Sequence, residues 1–165
     1  FHFTGGLFAS IGLLAFAPRQ FGPVSKLERV GFLVAFVGSV MFTGTGVITA
    51  FVWPLLAANA PALVELSGPF FSPPHPIIGI TALAFSAGYI LLALAFAREG
   101  RISRAAATVT VLGAALLIPP PPPLSPVPWV LFPVGGLLLG IGIAALGPVV
   151  RAEARQAQDP VQVAA

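Results

Sequence analysis

The uncharged stretch Val30–Ala58, VGFLVAFVGSVMFTGTGVITAFVWPLLAA, decides the fold. As a helix, its 29 residues would extend for about 44 Å, which exceeds a hydrocarbon core of about 30 Å. We therefore expect a membrane-spanning helix that tilts, bends or protrudes, with the bend at Pro54.

Working outward from this stretch, four more apolar segments predict helices that cross a bilayer. They are Phe1–Ala17, Ile77–Ala97, Ser103–Ile118 and Trp129–Val150. The sequence thus predicts an all-α, polytopic transmembrane bundle of about five spanning helices, with room for a sixth upstream. Residues 1–150 would form this single domain, and residues 151–165 a short polar cytoplasmic tail.

Composition supports a membrane class and excludes several others. Of the 165 residues, 57% are hydrophobic and only 8% are charged, whereas soluble domains carry about 25% charged residues. Disorder requires low hydrophobicity, and thiolate chemistry requires cysteine, which is absent. Nucleic acid is not an expected partner, because the net charge is only +3 and the basic residues lie in short connectors.

The basic residues also predict the orientation. When the five segments cross the bilayer in turn, the connectors that hold these residues all lie on one side. The positive-inside rule assigns that side to the cytoplasm. Phe1 would then be outside and Ala165 inside, with Trp53 and Trp129 as anchors at the outer interface. Because arginine outnumbers lysine seven to one, we expect a bacterial inner-membrane protein. The basic residues are Arg19, Lys26, Arg29, Arg98, Arg101, Arg104, Arg151 and Arg155.

Small residues spaced by four predict where helices pack, since close helix contact in lipid depends on small side chains. The alternative is that such stripes arise by chance among 18 glycines. The stripes are Gly31, Ala35, Ser39 and Thr43 in the second helix, Ala106, Thr110 and Ala114 in the fourth, and Gly136, Gly140 and Ala144 in the fifth.

Two further segments permit two interpretations each. The hydroxyls of Thr43, Thr45 and Thr49 either line a small cavity or bond to carbonyls of their own helix. The proline-rich loop that contains Pro119–Pro123 is either a stiff polyproline spacer or a docking segment. Stiff outer loops would offer a docking surface to another subunit.

Residues that could act in catalysis, ion transfer or ligand binding are scarce. Apart from Arg104 at the start of the fourth segment, no ionisable residue other than Tyr89 lies within helices two to five, which argues against a pump or coupled carrier. His2 and His75 are candidate ligands for a haem or chlorin, or with Glu65 for a metal, although no spaced metal motif supports this. The inner acids, among them Glu28, are expected to pair locally at the surface for less than about 1 kcal/mol each.

The sequence therefore predicts a non-catalytic membrane protein. Our main hypothesis is a small accessory subunit of a larger, energy-transducing membrane complex, with the lipid bilayer and other membrane subunits as partners. One alternative is a protein that binds haem, chlorin, carotenoid or quinone between its helices. Another is a small oligomeric permease, for which residues 43–49 offer the polar path.

Overall fold

The described part of the chain is all-α. A computed structural model describes residues 2–65, 76–118 and 128–148, and contains no strand in those ranges. Short 3₁₀ turns lie at Pro18–Phe21 and Pro61–Leu63. The five helices are α1 (His2–Leu14), α2 (Lys26–Asn59), α3 (Pro76–Arg98), α4 (Arg104–Leu116) and α5 (Pro128–Ala144).

Serine caps fix the first turns of α2 and α4. The Ser25 hydroxyl accepts a hydrogen bond from the Glu28 amide at 3.2 Å, and the Ser103 hydroxyl accepts one from the Ala106 amide at 3.1 Å. Each serine satisfies an amide that has no partner within its own helix. The two helices that follow the charged connectors therefore begin at defined residues.

The end of α3 depends on one glycine. Gly100 has a φ of 70°, a conformation that other residues rarely adopt. Its amide donates to the Ala97 carbonyl at 3.2 Å, and the Arg101 amide donates to the Phe96 carbonyl at 2.9 Å. This pair of bonds is a Schellman motif, which turns the chain sharply and brings Arg101 back over the last turn of α3.

Helix α2 changes its hydrogen-bond register before Pro54. Ile48–Val52 forms a π-helical turn, and the Trp53 amide donates to the Ile48 carbonyl, five residues earlier. We attribute this turn to Pro54, whose ring would clash with the Ala50 carbonyl in a regular α-helix. The bend at Pro54 stays a prediction, and the turn before it is a wide one within a continuous helix of 34 residues.

The helices pack as sequential neighbours, and the contact between α2 and α3 is the most extensive. Gly31, Gly38 and Gly88 lie at this contact, where an added methyl group would meet backbone of the facing helix. The Ser39 and Tyr89 hydroxyls are 3.2 Å apart and join the two helices in the buried interior. Small residues therefore allow the two backbones to approach closely around one buried hydrogen bond.

The small-residue stripe predicted in α2 contacts two neighbouring helices. Gly31, Ala35 and Ser39 are buried, and a methyl group added at Gly88 of α3 would meet the Ala35 backbone. A methyl group at Gly6 of α1 would meet Thr43 instead. One face of α2 thus serves both α1 and α3.

The contact between α4 and α5 lies on a different face of α5 from the predicted small-residue stripe. A methyl group at Gly142 would meet Thr110 of α4, and Gly135 is also buried. Gly136, Gly140 and Ala144, the predicted packing stripe, are exposed. Because α5 carries two overlapping sets of small residues, its pattern alone does not determine which set faces α4.

Within the described ranges, two helices are long and apolar enough to cross a bilayer, by length and composition alone: Lys26–Asn59 and Gly79–Arg98. The expectation of five spanning helices is only partly met, because α1 and α4 have 13 residues each and α5 has 17. These lengths correspond to about 20 and 26 Å. Core helices of soluble proteins can have the same length and composition.

The threonine hydroxyls of α2 bond to their own helix. Thr43 donates to the Ser39 carbonyl at 2.8 Å, and Thr49 donates to the Thr45 carbonyl at 2.8 Å. Thr45 donates to the Phe42 carbonyl at 2.9 Å. The back-bonding interpretation is therefore confirmed for all three hydroxyls.

Some predicted features fall where the structure gives no description. Pro119–Pro123, residues 151–165 and His75 lie outside the described ranges. Trp129 belongs to α5, but its side chain is not described, whereas Trp53 is half-buried near the end of α2. The proline-loop and cytoplasmic-tail predictions therefore stay predictions.

We expect Gly38→Ala to destabilise the protein, because the added methyl group would meet the Phe85 backbone of α3. Overpacking of this kind costs about 1–3 kcal/mol. Gly44→Ala is the matched control in the same helix, since no described atom lies within 4 Å of an added methyl group there. Thermal unfolding in detergent should show a lower midpoint for Gly38→Ala alone. Equal midpoints for the two variants would contradict the proposed close approach.

Candidate functional site

An apolar cavity of about 330 Å³ lies between α1, α2, α3 and the end of α5. Its walls are almost entirely hydrocarbon and aromatic. In the described chain, α1 and α5 do not pack extensively against each other, so space remains between them. The lining residues are Phe8, Ala9, Gly12, Leu13, Ala15, Phe16, Gln20, Phe32, Tyr89, Leu92, Phe96, Ile143, Leu146 and Gly147.

Aromatic rings build the inner wall of this cavity. Phe16 and Phe96 stack with their ring centroids 5.8 Å apart. The guanidinium carbon of Arg101 lies over the Phe96 ring, 4.4 Å from its centroid, and forms a cation–π contact. Phe8 is 71% exposed, so the cavity opens beside α1.

Gln20 is the polar residue at the base of the cavity. Its Nε2 donates to Glu28 Oε1 at 3.3 Å, which fixes the orientation of the amide. The amide oxygen, Oε1, is buried and has no hydrogen-bond partner in the described chain. A buried acceptor without a partner costs about 1–3 kcal/mol, so the Gln20 amide oxygen is a local energetic cost of the described packing.

A charge cluster centred on the buried Glu28 lies next to Gln20. The Glu28 side chain is 0% exposed, and its Oε1 accepts from Arg19 Nε at 2.9 Å. Its Oε2 accepts from Arg101 Nη1 at 3.4 Å. Glu99 completes the cluster, with Oε2 at 3.8 Å from Arg19 Nη2 and 3.6 Å from Arg101 Nη1. Both charged connectors therefore lie at the same end of the bundle.

The predicted role of Glu28 is wrong. Local surface pairing was expected, but the carboxylate is fully buried and binds arginines 9 and 73 residues away. Partners at such separations cannot be identified from neighbouring sequence. The available signal was Ser25-x-x-Glu28, a helix-start pattern that fixes the carboxylate in the first turn of α2.

The predicted cofactor ligands lie mostly outside the described side chains, so their arrangement stays a prediction. His2 begins α1, but its side chain is not described, and His75 lies outside the described residues. Glu65 is exposed. Among the described residues, no group of three or more histidine, aspartate or glutamate side chains could hold a metal ion.

The arrangement is suited to binding a ligand. Both oxygens of Glu28 already accept hydrogen bonds from Arg19, Gln20 and Arg101, so the carboxylate is held as a structural anion. The cavity presents a large apolar surface with few polar groups, which is typical of sites for small lipophilic molecules.

No protein-family model, curated protein or solved structure matches this chain.

We expect Glu28→Gln to lower stability by about 1.5–3 kcal/mol, because Arg19 and Arg101 lose their hydrogen bonds to a buried anion but stay partly exposed and close to Glu99. Glu65→Gln is the matched control, since Glu65 is exposed. Thermal unfolding of both variants in the same detergent measures the difference. Similar midpoints would show that the cluster contributes little to the fold.

Proposed function

We propose that this chain is a non-catalytic integral membrane protein that acts as a small accessory subunit of a larger membrane complex. The observation that carries the proposal is the exposed face of α5 with Gly136, Gly140 and Ala144. No described atom lies within 4 Å of a methyl group added at either glycine. Small residues on an open helix face permit close packing of another helix.

Exposed apolar side chains support the membrane location in this proposal. Phe8, Leu55 and Leu137 are each more than 60% exposed, and further exposed aliphatic residues lie on every helix. Apolar faces of this extent are favourable against lipid chains or partner helices and unfavourable in water. The proposed location is a bacterial inner membrane.

The charge distribution supports an orientation in that membrane. Arg19 and Arg101 lie in the two connectors that meet at one end of the bundle. By the positive-inside rule we place this end in the cytoplasm. Trp53 lies about 38 Å further along α2 from Glu28, a separation that supports its proposed position near the outer interface.

The partner that this face would accept is a transmembrane helix with small residues or a smooth aliphatic surface. The other face of α5, which includes Gly135 and Gly142, already contacts α4. The open face is therefore free to meet a second helix without disturbing the chain's own packing. An energy-transducing complex is the host that we favour.

A permease receives less support than an accessory subunit. The three hydroxyls that could form a polar path, those of Thr43, Thr45 and Thr49, are bonded to carbonyls of α2. A permeation path requires polar groups that are available to the transported molecule.

We expect the double variant Gly136→Leu and Gly140→Leu to remain folded but no longer to associate with the larger membrane complex. The control is Gly44→Leu on α2, where an added methyl group is equally free of described neighbours. The measurement is the native mass after mild detergent extraction from the native membrane, with mass spectrometry of the proteins that migrate with the chain.

Three results are informative. The wild type and the control should migrate in one large assembly, and the double variant should migrate alone with an unchanged unfolding midpoint. Migration of the wild type as a monomer or small homo-oligomer would reject the accessory role. Retention of the double variant in the assembly would reject the α5 face as the contact.

A further inference from the structure

We propose that the end of the bundle assigned to the cytoplasm binds an anionic phospholipid, with the phosphate between Lys26 and Arg29 and the acyl chains beside Phe21. The inference rests on the membrane location proposed above, and it does not depend on the accessory-subunit role. It assigns a lipid class to the surface made by the connector before α2 and the first turns of that helix.

Phe21 is an aromatic residue that the fold holds outside the bundle. It is 92% exposed, the highest value of any large hydrophobic residue in the described ranges. The turn that carries it is anchored, because Arg19 Nε and Gln20 Nε2 both donate to Glu28 Oε1, at 2.9 and 3.3 Å. The Gly22 amide closes the turn by donating to the Arg19 carbonyl at 2.9 Å. The exposed ring can therefore contact lipid at the boundary between headgroups and acyl chains.

Two cations lie next to Phe21. Lys26 and Arg29 are three residues apart in the first turns of α2, a spacing that places them on one side of the helix. Both are exposed. Arg29 Nη2 donates to the Gly22 carbonyl at 3.4 Å, so the guanidinium lies beside the residue that follows Phe21. The ring and the two cations form one surface, which we call the Phe21 patch (Phe21, Lys26 and Arg29).

The charge of the Phe21 patch is not balanced by the described chain. Glu28 lies between the two cations in sequence, but its side chain is 0% exposed and both oxygens bind residues of the charge cluster. In that cluster the two arginines balance the two glutamates. Within the described ranges no salt bridge joins Lys26 or Arg29 to a carboxylate, so their two charges remain in excess. An anion from outside the chain is the electrostatic complement of this surface.

A phospholipid fits the Phe21 patch better than a soluble anion does. The two cations can donate charge-assisted hydrogen bonds to phosphate oxygens, whereas the phenylalanine ring gains from contact with hydrocarbon. An anionic lipid supplies both groups in one molecule, and basic residues at the cytoplasmic surface are attracted to such lipids. A zwitterionic lipid has the same phosphate, but its own cation is repelled by the two positive charges.

The test measures lipid contact at position 21 by quenching of tryptophan fluorescence. The reporter is Phe21→Trp in a protein in which Trp53→Phe and Trp129→Phe replace the two native tryptophans. The full chain is reconstituted in vesicles of phosphatidylcholine and phosphatidylglycerol, with bromine on the acyl chains of one lipid at a time. We expect phosphatidylglycerol to be preferred by at least about fivefold, the factor that one cation contributes at an anionic surface.

Two double variants identify the charges that cause the preference. Lys26→Gln with Arg29→Gln should abolish it and leave equal quenching by both lipids, which also shows that position 21 still contacts lipid. Arg98→Gln with Arg104→Gln is the matched control, because it removes two exposed cations from the other connector at the same end of the bundle. This control should retain the preference.

Trp53 is the control for position along α2. In a protein that keeps Phe21 and carries Trp129→Phe, Trp53 reports on the far end of the helix. It should be quenched equally by the two lipids, since no lysine or arginine lies between Val30 and Ala97.

The proposal is overturned if the reporter at position 21 prefers neither lipid. It is also overturned if the preference survives Lys26→Gln with Arg29→Gln, or if Arg98→Gln with Arg104→Gln abolishes it to the same extent. Absence of quenching by either lipid, at position 21 and at Trp53 alike, would reject the membrane location as well. None of these readouts depends on whether the chain migrates in a larger assembly, so failure here is distinguishable from failure of the accessory-subunit proposal.

Discussion

The fully buried carboxylate of Glu28 is the constraint on which the arrangement of the helices depends. A buried charge that has lost its hydration must be compensated by nearby opposite charge and hydrogen bonds. Here the compensation comes from Arg19, in the connector before α2, and from Arg101, in the connector after α3. The same carboxylate orients Gln20 at the base of the cavity. One side chain thus links three parts of the chain and the candidate site.

In the middle of the bundle, close packing rather than charge pairing holds the helices together. Gly38 and Gly88 bring α2 and α3 together so closely that neither position has space for a methyl group. The bond between Ser39 and Tyr89 then satisfies two hydroxyls away from water. Because α1 and α5 lack an equally extensive contact with each other, the space between them remains as the aromatic-lined cavity.

Much of the helical architecture is predictable from local sequence, because helix existence follows from apolar length, and helix ends follow from Ser25, Ser103 and Gly100. The small-residue face of α2 is also visible in its pattern. The face that α5 turns toward α4 cannot be predicted from the pattern, since Gly135 and Gly136 belong to competing stripes of small residues. The cavity and the partners of Glu28 were missed for a related reason. They depend on residues from separate helices, and one pair is separated by 73 positions in the chain.

The separation between Glu28 and Arg101 has a consequence for synthesis of the protein on the ribosome. Arg19 and Glu28 emerge almost together, so the first ion pair can form as soon as α1 and α2 are made. Arg101 follows 73 residues later, which corresponds to about 4–15 s at 5–20 residues per second. During that interval Arg101 has not yet been made, so Arg19 is the only one of the two arginines available to Glu28. The second ion pair therefore forms only after α3 and its following turn have been made.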